Sequence, residues 1–280
     1  MTSAPFNPVL PINHAAIKSY LDCLFHAVDW ADGGIISLLG VGEKGTDKEG
    51  KFRERKFVDP RSPFMISMIE GHLQRWAKHG IAAFIVPAVV HPEAEAANDV
   101  TLERIAALTA IVVDIDSGNT EAKLAYAVSH LHAPSMIVAS GGTTETGHPK
   151  IHVYWVLSEP EDSVESVAAL RKELAAKIGG DQAFGRATQV IRIPGSIYAK
   201  SGASKPVELK HQDGRVYHWG DIAEAIVDMP YMEGCEPVQL SAPLAQHPDA
   251  VVPEKHIGIA APLCGQDHLH TGTHLHRVTL

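Results

Sequence analysis

Two carboxylates set one residue apart close an apolar run, Ile111-Val112-Val113-Asp114-Ile115-Asp116. In a strand, alternate side chains share a face at a spacing of roughly 6–7 Å, so Asp114 and Asp116 project together while Val113 and Ile115 enter a core. Paired carboxylates joined by substrate phosphates are the usual cage for Mg²⁺, and two such ions about 4 Å apart clamp both oxygens of a phosphoryl transfer. The chemistry to expect is therefore metal-assisted transfer, with Mg²⁺ or Mn²⁺ as cofactor and Asp114 and Asp116 as ligands. Read alone, Asp116-Ser117-Gly118-Asn119 also fits a turn whose Asp or Asn caps the next helix.

Three downstream segments favour the metal reading. In Ser135–Ser140 alternation puts Met136, Val138 and Ser140 on one face, and Gly141-Gly142 follow, where absent side chains let a phosphate approach the amides. The same glycines also fit a plain hairpin turn. In the returning segment Ile151, Val153 and Trp155 form an apolar face, so Lys150, His152 and Tyr154 point the other way and need partners or a ligand. Asp181 follows Gly179-Gly180 and could bring a third carboxylate to the first two, or serve only as a turn acid after a helix. Arg192-Ile193-Pro194-Gly195 then places a tight turn beside a fixed cation, with Lys200 a few residues on.

The elements that must position these groups can be read from periodicity. An opening helix is expected near Ala15–Ala31, then strands at Gly34–Leu39 and Phe52–Val58 around the loop Gly40–Gly50. Gly40-x-Gly42-x-x-Gly45 matches a dinucleotide fingerprint in letters only, because Thr46-Asp47-Lys48-Glu49-Gly50-Lys51 has no apolar helical face to open there. Pro63–His79 has helical spacing, with Met65, Met68, Ile69, Leu73 and Trp76 as its core stripe. Ile81–Val90 reads as a strand interrupted by Pro87, near a sheet edge, and Thr101–Leu108 as a short helix. Strand Ala110–Asp116, helix Thr120–Leu131, strands Ser135–Ser140 and Ile151–Leu157, helix Asp162–Ile178, a strand-rich part through Trp219 and a closing helix Asp221–Val227 follow. That order is α+β with a mixed or antiparallel sheet.

Composition bounds the function. The 280 residues are 45% hydrophobic, enough for a real core, and no apolar run approaches the ~20 residues of a membrane span. The start lacks the layout of a secretory signal, so a cytoplasmic protein with no membrane partner is expected. Cys23, Cys235 and Cys264 lie far apart and suggest neither disulfide framework nor zinc ribbon. A net charge of −9 argues against sequence-independent coating of nucleic acid, while leaving room for local basic grooves at Lys51, Arg53, Arg55 and Lys56 or from Arg186 to Lys210. Past about Asp228 the chain turns Pro-rich, a linker or tail whose closing His268, His270, His274 and His276 lack partners for a metal site.

The set Asp114-x-Asp116, Ser140-Gly141-Gly142 before a strand bearing His152, and Asp181 eleven residues ahead of Arg192-x-Pro-Gly resembles the archaeo-eukaryotic primase superfamily. The similarity is to the primase-polymerase domains of plasmids, phages and mobile elements, and it spans roughly Gly34 to Asp221. The resemblance implies a primase-polymerase core in which an RRM-like catalytic unit, about 109–228, packs on an N-terminal α/β unit, about 1–108, with 229–280 as tail. It implies that Asp114, Asp116 and Asp181 hold catalytic metals and that His152 contacts the incoming NTP or dNTP. Ser140 matches the small polar residue that opens the second motif, and Arg192 and Lys200 match basic positions near the nucleotide or template; Lys150, Gly141 and Gly142 are read as nucleotide-binding beside them. The loop Thr143–Lys150 is longer and more polar than the family's compact form. No Cys/His zinc element and no Gly-x-x-x-x-Gly-Lys-Ser/Thr loop occurs in the sequence, so any replicative helicase, fused or separate, is expected outside these 280 residues.

The reading that follows is primer synthesis on a single-stranded DNA template. Two other classes use parts of the same pattern. A metal-dependent glycosyltransferase also uses Asp-x-Asp but has no need of Asp181 or Arg192-x-Pro-Gly, and a non-catalytic replication-initiator module would bind DNA through the basic segments alone.

Overall fold

Why Ala110 to Val113, just before Asp114, are all apolar becomes clear from what covers them. Strand β5 (Ile105–Ile115) carries Ala110 and Val112 on one face and Ile111, Val113 and Ile115 on the other, and each face is buried in a different core. A strand covered on both sides reads as a continuous apolar run, without alternation.

The computed structural model describes residues 11–202 and 204–237. Before β5 come α1 (His14–Leu24), β1 (Ile36–Val41), β2 (Arg53–Val58), α2 (Met65–Lys78), β3 (Ala82–Ile85), β4 (Ala88–Val90) and α3 (Glu93–Ala97). After it come α4 (Thr120–His130), β6 (Met136–Thr143), β7 (Pro149–Glu161), α5 (Val164–Ile178), β8 (Ile191–Arg192), β9 (Ile197–Tyr198), β10 (Lys205–Pro206), β11 (Glu208–Gln212) and α6 (Trp219–Asp228). One sheet has the order β2-β1-β3-β8, a second has β11-β6-β7-β5-β4, and β9 and β10 form a short ribbon. Every pairing between these strands is antiparallel, which makes the molecule α+β as expected.

The two sheets exchange strands across the boundary expected near residue 108. Strand β4 joins the sheet that carries the acids, and β8, from beyond them, joins the N-terminal sheet. Pro87 explains the first exchange. It has no N–H for a ladder, so Ile81–Val90 is two strands in two sheets rather than one interrupted strand, with β4 at an edge. Thr101–Leu108 is not a helix either: only Leu102–Arg104 makes a turn, and Ile105 already pairs with Val90. The apolar Ile105-Ala106-Ala107-Leu108 suits either state, and the strands beside it decide.

Other expectations shift by less. The opening helix ends at Leu24, with Asn13 capping its start by accepting from the Ala16 amide at 3.1 Å. In α2, Ile69, Leu73 and Trp76 are core, whereas Met68 is 42% exposed. Residues 229–237, where the tail was expected to open, lie against α5: the Met232 amide donates to the Lys177 carbonyl and the Tyr231 hydroxyl to Glu173. Cys264, the four closing histidines and the rest of 238–280 lie outside the described residues. No helix among the described residues is long and apolar enough to cross a membrane.

Candidate active site

Three neighbouring strands carry rows that start in the core and end in polar groups. On β5 the row is Ala110, Val112, Asp114, then Asp116 just past the strand. On β7 it is Tyr154, His152, Lys150, and on β6 Met136, Val138, Ser140. The register aligns them, since Val112 faces Tyr154 and Tyr154 faces Met136, while Asp114 faces His152 and His152 faces Val138. Side chains directly opposite on antiparallel strands share a face, so the acids and the His and Lys converge at one end of the sheet. Asp114 and Asp116 come to the same end of the sheet, and the two-faced reading of Ile151–Leu157 holds for Lys150 and His152. Tyr154, however, is turned into the core, where its hydroxyl lies 3.2 Å from that of Tyr20.

The capping alternative for Asp116 is removed by its neighbour. Asn119 caps α4, accepting from the Ala122 amide at 3.0 Å, which leaves the Asp116 carboxylate to Lys150 at 3.2 Å. A cleft of about 190 Å³ opens over this end of the sheet. Asp114, Asp116, Ser140, Lys150 and His152 line one side of it; Phe84, Arg192, Tyr198 and Lys200 line another, with Phe184 and Gln189–Ile191 between.

Electrostatics single out the Asp114–His152 pair. Burial pushes the Asp114 carboxyl up to about 7, with Asp116 and Asp181 adding like charge. Burial also pushes the His152 imidazole down to about 3, helped by the nearby Arg192 cation. His152 is thus neutral at physiological pH, and its Nε2 stands 3.7 Å from Asp114 Oδ1, beyond hydrogen-bonding range. Asp114 Oδ1 and His152 Nδ1 are buried without a hydrogen-bond partner among the described residues. Buried polar atoms are nearly always paired, so two unpaired ones at the floor of a cleft fit a site that takes up a cation and an anionic ligand. His152 is further held by Phe184, its ring stacked at 6.1 Å between centroids.

The remaining expected residues fall into three groups. Asp181 comes beside the site through its backbone, its amide donating to the Asp114 carbonyl at 2.8 Å, but its carboxylate caps the turn Gln182–Gly185 by accepting from the Ala183 amide at 2.9 Å. No cluster of three His, Cys, Asp or Glu with metal-ligating geometry occurs among the described residues. Of the three expected acids, Asp114 and Asp116 line the cleft and Asp181 acts on Asp114 as like charge. Gly141 and Gly142 lie within β6, not in a free loop. Gly141 has φ +87°, and a Cβ there would stand 2.5 Å from the Tyr198 Cβ, so its missing side chain makes room for Tyr198. Ser140 donates to the Lys150 carbonyl at 3.3 Å, and Lys200 is exposed at the cleft rim.

Arg192 brings in a residue the sequence did not point to. Its guanidinium lies between the rings of Phe84 and Tyr198, 4.8 and 4.7 Å from their centroids. Its Nη1 donates to Glu43 Oε2 at 3.0 Å and its Nη2 to Glu43 Oε1, a forked pair buried on both sides. Glu43 sits in the loop Gly42-Glu43-Lys44-Gly45 whose glycines imitate the dinucleotide fingerprint. Those glycines are steric: a Cβ on Gly40 would meet the Trp76 ring at 2.6 Å, and one on Gly42 the Lys48 carbonyl oxygen at 2.1 Å. The signal available for Glu43 was an acid two residues past the end of the buried strand β1.

No family model and no curated protein matches this sequence. Solved structures do. The fold is similar to that of solved primase and primase-polymerase domains: the AEP domain of cyanophage S-2L primase-polymerase aligns with a TM-score of 0.57 and 19% identity, over 78% of this chain and all of that one. The primase RepB′ aligns at 0.51 and 13% identity, over 76% of this chain and 60% of its own. The catalytic domain of RepB′ in complex with initiator DNA aligns at 0.50 and 14% identity, over 76% and 90%. At these identities the likeness establishes the fold, and the site must carry the function.

Proposed function

We propose that this domain is a DNA-dependent primase-polymerase that joins nucleotides on a single-stranded DNA template, in the replication of a plasmid, phage or mobile element. The observation that carries the reading is the Asp114–Asp116 platform, with its buried unpaired oxygen, in a cleft also lined by the basic side chains Lys150, His152, Arg192 and Lys200. An acid pair opposite cations is the arrangement a metal-bound triphosphate requires. Asp114 and Asp116, with Asp181 close by, would hold Mg²⁺ or Mn²⁺, which when bound supplies activation of the attacking 3′-hydroxyl and neutralises charge on the departing pyrophosphate.

The chain's own side chains have separable tasks. Lys150 reaches across from Asp116 as a mobile cation for a phosphate oxygen, and Lys200 does so from the rim. His152, neutral, donates one hydrogen bond without adding charge beside the acids. Ser140 and the Gly141-Gly142 backbone shape the wall under Tyr198. Arg192, stacked and forked, is a fixed cation on the opposite wall. A replicative helicase, fused or separate, would supply the opened template, and the setting is cytoplasmic.

The test is incorporation of labelled NTPs and dNTPs on single-stranded DNA with Mg²⁺ or Mn²⁺, with and without a primer. Metal- and template-dependent products support the reading. DNA binding without incorporation points to an initiator module, and transfer from a nucleotide-sugar to a glycosyltransferase.

A further inference from the structure

The loop after β1 reaches the cleft wall from the N-terminal sheet, and none of its residues entered the site as the sequence described it. Glu43 spends its carboxylate on two partners that both belong to that wall. Oε1 and Oε2 take Nη2 and Nη1 of Arg192, and Oε2 also accepts from the Ala199 amide at 3.1 Å. Ala199 lies between Tyr198 and Lys200, which line the cleft. One residue on, the Lys44 carbonyl accepts from the Ser201 amide at 2.7 Å. Gly45, at φ +80°, lets the loop close on Ser201, since a Cβ there would stand 2.7 Å from the Ser201 Cα. The loop is a brace, and its one buried charge fixes Arg192, Tyr198 and Lys200 against each other.

A carboxylate beside a phosphate-binding cation would ordinarily weaken the site, because it repels the phosphate. Here it takes two of the five N–H donors of Arg192 and leaves the others. It also holds the guanidinium plane between two rings, so the remaining donors present a single geometry. We infer that Glu43 is a positioning residue for nucleotide binding, acting through Arg192 and the Ala199 amide to hold the cationic wall in place for the triphosphate. This rests on the primase-polymerase reading of the cleft, yet it concerns nucleotide affinity and can be measured apart from synthesis.

The experiment compares wild type, Glu43→Gln, Glu43→Asp, Arg192→Gln and the Glu43→Gln/Arg192→Gln double variant. Calorimetry measures binding of a nucleoside triphosphate with Mg²⁺ in the absence of template, and steady-state incorporation supplies KM and kcat. Thermal unfolding identifies which variants are folded. Glu43→Gln keeps the shape and one acceptor but loses the charged fork. Its nucleotide affinity should fall about tenfold, with KM rising in step and kcat within about threefold, the pattern of lost binding that is equal in ground and transition states. Glu43→Asp should recover part of the loss. In the Arg192→Gln background the Glu43 change should add less than about twofold, since the two act as one unit.

Unchanged or tighter nucleotide binding in folded Glu43→Gln, or full additivity in the double variant, overturns the role of Glu43 and leaves the primase reading standing. The reverse result is equally distinct: a wild type that binds nucleotide and loses it in Glu43→Gln, yet never incorporates, upholds the brace and removes the primase.

Discussion

Two acid–base pairs meet at the same cleft, one lining it and one reaching it through Arg192, and they differ in completeness. Glu43 and Arg192 are 8% and 9% exposed and satisfy each other through a fork, two aromatic faces and a backbone amide. Asp114 and His152 have side chains 19% and 6% exposed, yet they miss hydrogen-bonding distance and each keeps an unpaired buried atom. A buried charge must find partners or give up its charge. The first pair found partners inside the protein. In the second, burial moves Asp114 towards its neutral form and His152 to its neutral form, which is how groups behave when their partner arrives from outside. The complete pair holds a wall of the cleft in place, and the incomplete pair keeps two buried polar atoms open to a partner from outside.

The contrast can be broken first at its stable end. Glu43→Ala leaves Arg192 buried and unpaired, and its stability in denaturant should fall by about 3–5 kcal/mol. Replacing both, as Glu43→Ala/Arg192→Met, should recover most of that loss, and a single variant no less stable than wild type would show that the fork is not structural.

Asp114→Asn should act in the opposite direction. The folded protein holds the Asp114 proton up to about pH 7, while the unfolded chain releases it near pH 4. Ionising Asp114 therefore costs stability from about pH 4 upward, and the cost is complete above pH 7. Without metal, Asp114→Asn should gain nothing at pH 4 and up to about 4 kcal/mol at pH 8. The His152 contribution runs the other way, its depressed folded value removing stability as pH falls below 6.5, and it cancels in the comparison of variant with parent. A stability difference that is flat with pH would contradict the burial of Asp114.

His152→Ala should weaken triphosphate binding by about 1.5–3 kcal/mol, ten- to a hundredfold, as measured by calorimetry. Loss of metal binding with nucleotide affinity preserved would instead make His152 a ligand. The smallest effect belongs to Lys150→Ala, whose ion pair with Asp116 is partly exposed on both sides. Its stability should stay within about 1 kcal/mol of wild type, and a larger drop in thermal unfolding would place Lys150 with the architecture.

The incomplete pair was legible in the sequence because its information is local. Asp-x-Asp at the end of an apolar strand, and His152 between Ile151 and Val153, declare their face by alternation alone. The complete pair was not, because Glu43 and Arg192 are 149 positions apart. The polar stretch around Glu43 also looks like any solvated loop. The same reason hid that the two sides of Pro87 join different sheets, and the strand start at Ile105, where pairing partners chosen by the fold outweigh local preference. Asp181 was legible as a neighbour of Asp114, but the turn that claims its carboxylate follows from the Ala183 amide, which no spacing rule supplies.

The most direct test of the account is template-directed nucleotide incorporation by wild type and by Asp114→Asn, each shown by thermal unfolding to be folded, with Mg²⁺ or Mn²⁺ present. The account predicts metal-dependent products from wild type and none above background from the variant, although the variant is the more stable protein at pH 8. Undiminished synthesis by Asp114→Asn would contradict it.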